Sequence, residues 1–261
     1  RIITAMLTPI RCCRINSVDI KISPLVIILL AALMISNPGL SAAIMVLLVS
    51  LLVHELGHSF AAQALGLRVN EIVITPLGGM ASIEELSHHP LSEAKVAAAG
   101  PLTNLVIAGL CALIDHEMAY LVMIINLGIG LGNLIPIFPL DGGRILRGIF
   151  SAATNPVDAA NCIGKISNYL CLVLILFGFK YGFLLYAIAI SIYCFFSHKK
   201  ELLSQVFATG TPPSLGFDEM MKRTFAFFVR GNPSQSEPPV DHDESLENFG
   251  GSLEEYFEDK Q

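Results

Sequence analysis

His54, Glu55 and His58 form the pattern H-E-x-x-H inside an apolar run that extends from about Ser41 to Leu67. On an α-helix the two histidines stand four residues apart, about 6 Å along the axis, and face one side, so both imidazoles can reach a single ion. Glu55 falls beside that ion rather than on it, where a carboxylate can take a proton from a water that the metal acidifies. Ionisable groups are costly in the apolar core of a bilayer, so three of them there mark a functional site. A catalytic zinc normally takes three protein ligands and keeps a fourth position open, which calls for one more donor. Asp141 is the strongest candidate: in the stretch from Asn133 to Arg144, Pro136 and Pro139 stop the preceding helix, and Gly142-Gly143 lets the backbone approach closely. On spacing alone, a carboxylate that merely turns the chain beside Arg144 would explain this residue equally well.

Membrane-crossing helices have to position these groups. Of the 261 residues, 53% are hydrophobic and 15% charged, a composition that excludes an ordinary soluble domain. Apolar segments lie at about 22–36, 41–65, 94–114, 118–138, 165–179 and 181–197. The expected fold class is an all-α integral membrane protein with six transmembrane helices and a small membrane-associated β element. That element is expected between Arg68 and Glu85, where β-branched residues alternate with others before Pro76-Leu77-Gly78-Gly79 turns the chain. A loop packing a few aliphatic side chains is the alternative. The chain then divides into a cytoplasmic N-terminal segment (1–21), the six-span domain (22–200), a candidate amphipathic membrane-surface segment (201–230) and an acidic tail (231–261) whose Ser, Pro, Glu and Asp content reads as disordered.

The net charge of -6 is unevenly spread: residues 231–261 hold nine acidic side chains against one lysine, which leaves the rest slightly basic. No nucleic-acid partner is expected. Eleven Lys and Arg residues, from Arg1 to Lys200, fall on one side of the six segments and only Lys180 on the other, so both termini are expected in the cytoplasm. The second span then runs inward, and His58, eight residues before Gly66, lies about 12 Å of helix from its cytoplasmic end. No secretory leader is expected, because the first apolar run lacks a cleavage site and leads into the next span. The six cysteines include no C-x-x-C, and no disulfide framework is expected. Cys12-Cys13, between Arg11 and Arg14, read as reduced thiols, with acylation near the membrane as the alternative. Gly128, Gly130 and Gly132 read as a small-residue packing face, and His88, His89 and His116 as exposed side chains.

Taken together, the motifs resemble the site-2 protease family of intramembrane zinc metalloproteases. The likeness is carried by His54-Glu55-Leu56-Gly57-His58, by the N-x-x-P-x-x-P-L-D-G-G-R stretch from Asn133 to Arg144, by Ala99-Gly100-Pro101-Leu102-Thr103-Asn104 and by Pro76-Leu77-Gly78-Gly79. It covers roughly residues 20 to 200. The resemblance implies that His54, His58 and Asp141 hold one Zn2+ ion and that Glu55 acts as general base and acid. It also implies that Asn104 and Asn133 contact the substrate or the developing oxyanion; a polar group bonded between packed helices is the competing reading for both. The implied function is that of an intramembrane zinc endopeptidase in a bacterial cell membrane. It would cut a membrane-associated protein substrate within or beside the lipid bilayer and release a regulatory factor, with a regulatory membrane protein or a second copy of the chain as further partner. The compact arrangement, without a PDZ or CBS module, is similar to sporulation-type members. A zinc or other metal transporter, or a membrane metal-binding protein, is the alternative, although it would gain little from a glutamate fixed beside the first histidine.

Overall fold

In the computed structural model the described residues are 9–16, 18–75, 78–83, 89–182 and 184–230. The chain divides into two compact units, Arg1–Thr224 and Phe225–Gln261. Of the second, only 225–230 are described, as helical turns in which the Phe227 and Phe228 rings meet edge to face. The acidic tail, Pro76-Leu77 and His88 lie outside the described residues.

The first unit opens with strands β1 (Ile10–Ile15) and β2 (Val18–Ile22), followed by helices α1 (Pro24–Ser36) and α2 (Pro38–Ala64). A second strand pair, β3 (Val69–Thr75) and β4 (Gly78–Ile83), precedes α3 (Pro90–Cys111), α4 (Glu117–Asn133), α5 (Asp141–Ala153), α6 (Pro156–Tyr181) and α7 (Leu184–Thr209). The last helix, α8 (Phe217–Arg230), begins in this unit. Breaks between helices follow local chemistry. Asn37 accepts from the Leu40 N–H and Pro38 occupies the first turn of α2, so α1 stops and α2 starts. Asn155 and Pro156 do the same for α6, and Gly182, at φ +82°, ends it in the left-handed region.

The expected β element is present and larger than the sequence indicates. The strands form one sheet in the order β1-β2-β3-β4, with β2 and β3 parallel across the α1–α2 crossover and the outer pairs antiparallel. Val18, Ile72 and Ile74 cluster with Ala62 of α2 and Val96 of α3, so one sheet face clamps the two helices at the level of His58. β1 and β2 fall in what reads as a basic N-terminal segment; β2 joins the sheet by pairing with β3, with the Lys21–Glu71 ion pair beside it, and β1 by pairing with β2.

Three helices, α2 over Gly39–Ala64, α3 and α6, are long and apolar enough to cross a membrane, and the shorter α1 and α4 are apolar too. The protein is a mostly helical integral membrane protein with a small sheet. Leu102, Val106 and Leu110 leave an exposed ridge along α3 at the spacing of one helix face, as lipid contact requires. Several boundaries differ from the sequence reading. The fourth apolar segment gives up its helix at Asn133 rather than near 138, α6 starts at Pro156 rather than near 165, and α7 continues through Lys199-Lys200 to Thr209. α5 is not among the expected helices: Gly142 and Gly143, read as allowing close backbone approach after a helix stop, are buried within it together with Gly148. All six cysteines are free. Gly130 packs on Leu105 and the Pro101 carbonyl of α3, whereas nothing stands within 4 Å of a Cβ built on Gly128 or Gly132.

Candidate active site

α2 carries His54 and His58 one turn apart on the side that faces α3 and α5. Both are buried, at 3% exposure each, and Asp141 is buried at 5%. Asp141 is the first residue of α5, delivered by the Pro136–Pro139 segment whose Phe138 N–H is anchored on Ser167 Oγ of α6 at 2.8 Å. His54 Nε2 and His58 Nε2 are 3.1 Å apart, and Asp141 Oδ2 lies 3.0 Å from the first and 3.3 Å from the second. Donors about 2 Å from a tetrahedral ion stand roughly 3.3 Å from one another, so this triangle has the size that zinc requires.

The outer partners fix which ring nitrogens are free. His54 Nδ1 lies 2.5 Å from Asn104 Oδ1, and His58 Nδ1 lies 2.7 Å from the Val96 carbonyl. Both oxygens are acceptors, so each Nδ1 carries the proton and each Nε2 turns a lone pair into the triangle. The Gly100 N–H is a longer contact to His58 Nδ1, at 3.3 Å, and does not displace the Val96 bond. Two lone pairs and a carboxylate oxygen converging in a buried space repel one another unless a cation lies between them. The donor set therefore fits a metal ion, and two imidazoles with one carboxylate suit zinc.

Gly100 makes the approach of α3 possible, since a Cβ there would overlap the His58 ring and come within 2.9 Å of His54 Nε2. Gly57 does the same from the other side, against Thr103 and the Ala99 carbonyl. On α5, Arg144 Nη1 lies 3.6 Å from Asp141 Oδ1, which leaves Oδ2 to the histidines. Arg147 pairs with Glu93 of α3 and Glu201 of α7 and lies over the Phe138 ring. This knot ties the helix that presents Asp141 to its neighbours.

The sequence-derived residues do not all meet. His54, His58 and Asp141 come together, and Glu55 is buried at 9% on the next position of α2, with the Ser59 hydroxyl spent on its backbone carbonyl and not on its carboxylate. Asn104, wholly buried, is committed to His54 and to α4, which is the geometry of a polar group bonded between packed helices. Asn133 stands apart: half-buried at the end of α4, it donates to the Ile129 carbonyl of its own helix at 3.0 Å. Sequence reasoning missed Asn126, Ser50 and the Val96 carbonyl. The first had a usable signal, an amide side chain in the middle of an apolar span, the same signal that Asn104 gave.

A buried His-His-carboxylate triangle with an adjoining glutamate, its histidines on a membrane-crossing helix and its carboxylate at the start of the short α5, defines a membrane-embedded metalloprotein of the H-E-x-x-H class. The chain belongs to peptidase family M50, whose model matches residues 42–116 and 114–178 and so contains all four of these residues. It is 30% identical over 188 residues to the zinc metalloprotease MJ0392 of Methanocaldococcus jannaschii, a match covering 68% of this chain and 55% of that protein. It is 34% identical to the stage IV sporulation protein FB of Bacillus subtilis over 145 residues, 52% of this chain and 50% of that protein. The chain thus spans about half the length of the curated relatives it matches. The solved structure of a site-2 protease from Methanocaldococcus jannaschii superposes with a TM-score of 0.56 at 29% identity, covering 75% of this chain and 95% of that one.

Proposed function

We propose that the protein is an intramembrane zinc endopeptidase that cuts a membrane-associated protein substrate within or beside the bilayer and releases a regulatory factor. The observation that carries this is the convergence of His54 Nε2, His58 Nε2 and Asp141 Oδ2 in a buried triangle with Glu55 beside it. In this reading His54, His58 and Asp141 hold one zinc ion and Glu55 is the general base and acid. The ion, when bound, supplies a Lewis acid that polarises the scissile carbonyl and acidifies a water. Glu55 would accept the proton of the attacking water and deliver it to the leaving amine, a contribution of about 10²- to 10⁴-fold.

A helical peptide bond is shielded by its own hydrogen bonds, and the substrate has to be extended to be cut. β4 is the last strand of the sheet, and among the described residues no strand lies beyond it, which supports docking of an extended substrate on that edge. Asn133, close to Asp141 in sequence and half-buried, is assigned the substrate contact; Asn104 is assigned to holding His54. The five apolar helices α1, α2, α3, α4 and α6, with the apolar first half of α7, are read as six spans with both termini in the cytoplasm, the basic residues supplying the orientation. A bacterial cell membrane, supported by the similarity to the stage IV sporulation protein FB of Bacillus subtilis, a regulatory precursor as substrate, and a membrane protein or a second copy as regulator complete this reading.

A metal carrier would share the histidines and the carboxylate. Reconstitution into vesicles separates the two: the peptidase cleaves a co-reconstituted single-span substrate without moving zinc into the lumen, and loses that cleavage in Glu55→Gln. Zinc accumulation that Glu55→Gln leaves intact would establish the carrier instead.

A further inference from the structure

We propose that Asn126 is a positioning residue for the metal site: acting through Asn104, it holds His54 in the tautomer whose Nε2 lone pair faces His58 and Asp141. The proposal rests on the zinc reading of that triangle and adds a residue on α4 that has no contact with the donor atoms. A chain of one-way hydrogen bonds carries it. The Val122 carbonyl lies 2.8 Å from Asn126 Nδ2 and can only accept, so the Asn126 amide nitrogen must face it. The same nitrogen donates to Ser50 Oγ at 2.9 Å. Asn126 Oδ1 is thereby turned toward Asn104, whose Nδ2 donates to it at 2.7 Å. With its nitrogen engaged, Asn104 presents Oδ1 to His54 Nδ1 at 2.5 Å. An amide oxygen cannot donate, so the His54 proton sits on Nδ1 and Nε2 is left free for the metal.

The relay crosses three helices and is closed to water: Asn126 is 1% exposed, Asn104 0% and Ser50 4%. In such surroundings an unmatched donor or acceptor is expensive, so the direction of each bond is dictated by its neighbours. Without the Asn126 acceptor, Asn104 keeps only a 3.3 Å contact from Nδ2 to the Ser50 carbonyl. Its amide can then flip and offer an N–H to His54 Nδ1, which moves the imidazole proton to Nε2 and blocks the lone pair.

The test is a zinc titration of purified, zinc-stripped wild-type, Asn126→Leu and Asn126→Asp proteins against a chromophoric chelator, with the melting temperature of each zinc-free form measured alongside. Leucine has a similar volume and no acceptor, whereas aspartate keeps an oxygen toward Asn104. Zinc affinity is expected to fall about 10- to 100-fold in Asn126→Leu, the usual effect of losing an outer-shell partner, and to be largely retained in Asn126→Asp. A purely structural role would lower the zinc-free melting temperature of both variants without separating their affinities. Should Asn126→Leu not fold, Asn126→Ala carries the same expectation. Equal affinity in wild type and the acceptor-less variant overturns the positioning role, and so does an Asn126→Asp protein that loses as much affinity as Asn126→Leu. Wild-type protein that takes up no zinc overturns the metal reading, and the positioning role with it.

Discussion

A carboxylate next to a metal ligand can do proton work only if it is not itself consumed by structure. Glu55 meets that condition in the proposed site, because its neighbour Ser59 bonds the backbone carbonyl and His54, His58 and Asp141 supply three converging donor atoms without it. Glu55→Gln should therefore keep one equivalent of zinc while turnover falls about 10²- to 10⁴-fold; a variant that loses its metal would reassign Glu55 as a ligand. Asp141→Ala should lose zinc and turnover together, and metal analysis that finds full occupancy would return Asp141 to the role of a turn residue beside Arg144. At this scale the sequence was highly legible for His54, Glu55 and His58, since a spacing of four on a helix fixes a shared face before any packing is known. Asp141 needed the fold, because nothing in the sequence says that α5 starts there and points back at α2. Asn104 entered through the resemblance, with a polar group bonded between packed helices as the competing reading, and its partner His54 is specified only when α2 and α3 pack.

The helices meet closely enough for this chemistry only where side chains are missing. A Cβ on Gly100 would overlap the His58 ring, whereas nothing lies within 4 Å of one built on Gly109, further along α3. Gly100→Ala should then cost about 1–3 kcal/mol of stability through overpacking and weaken zinc binding, while Gly109→Ala should change neither; thermal unfolding and metal content of the two variants check this. Apolar length located the long helices well, and turn residues located β3 and β4. It failed for β1 and β2, whose exposed, basic outer strand acquires a partner only through the parallel pairing of β2 with β3. It failed for α5 as well, because three small residues that suit a loop also suit a helix face pressed against backbone.

At the scale of the whole molecule, orientation follows from charge. In the proposed orientation, drawn from the distribution of basic residues, the end of α2 is on the cytoplasmic side and the α3–α4 connection on the opposite side. Leu65, 40% exposed, and Leu113, 84% exposed, report on these two ends. In a form lacking the six native cysteines, Leu65→Cys should react with a membrane-impermeant maleimide only from the cytoplasmic face and Leu113→Cys only from the other. The reverse pattern would invert the topology and with it the side from which water and substrate reach the metal.

The central claim is that this buried triangle and its glutamate hydrolyse peptide bonds of membrane proteins. The most direct measurement compares the new protein N-termini, identified by mass spectrometry, in membranes of cells carrying wild-type protein and cells carrying Glu55→Gln at equal abundance and zinc content. A small set of N-termini is expected only with the wild-type protein, located within or next to transmembrane segments. Identical sets of N-termini in the two membranes would contradict the claim.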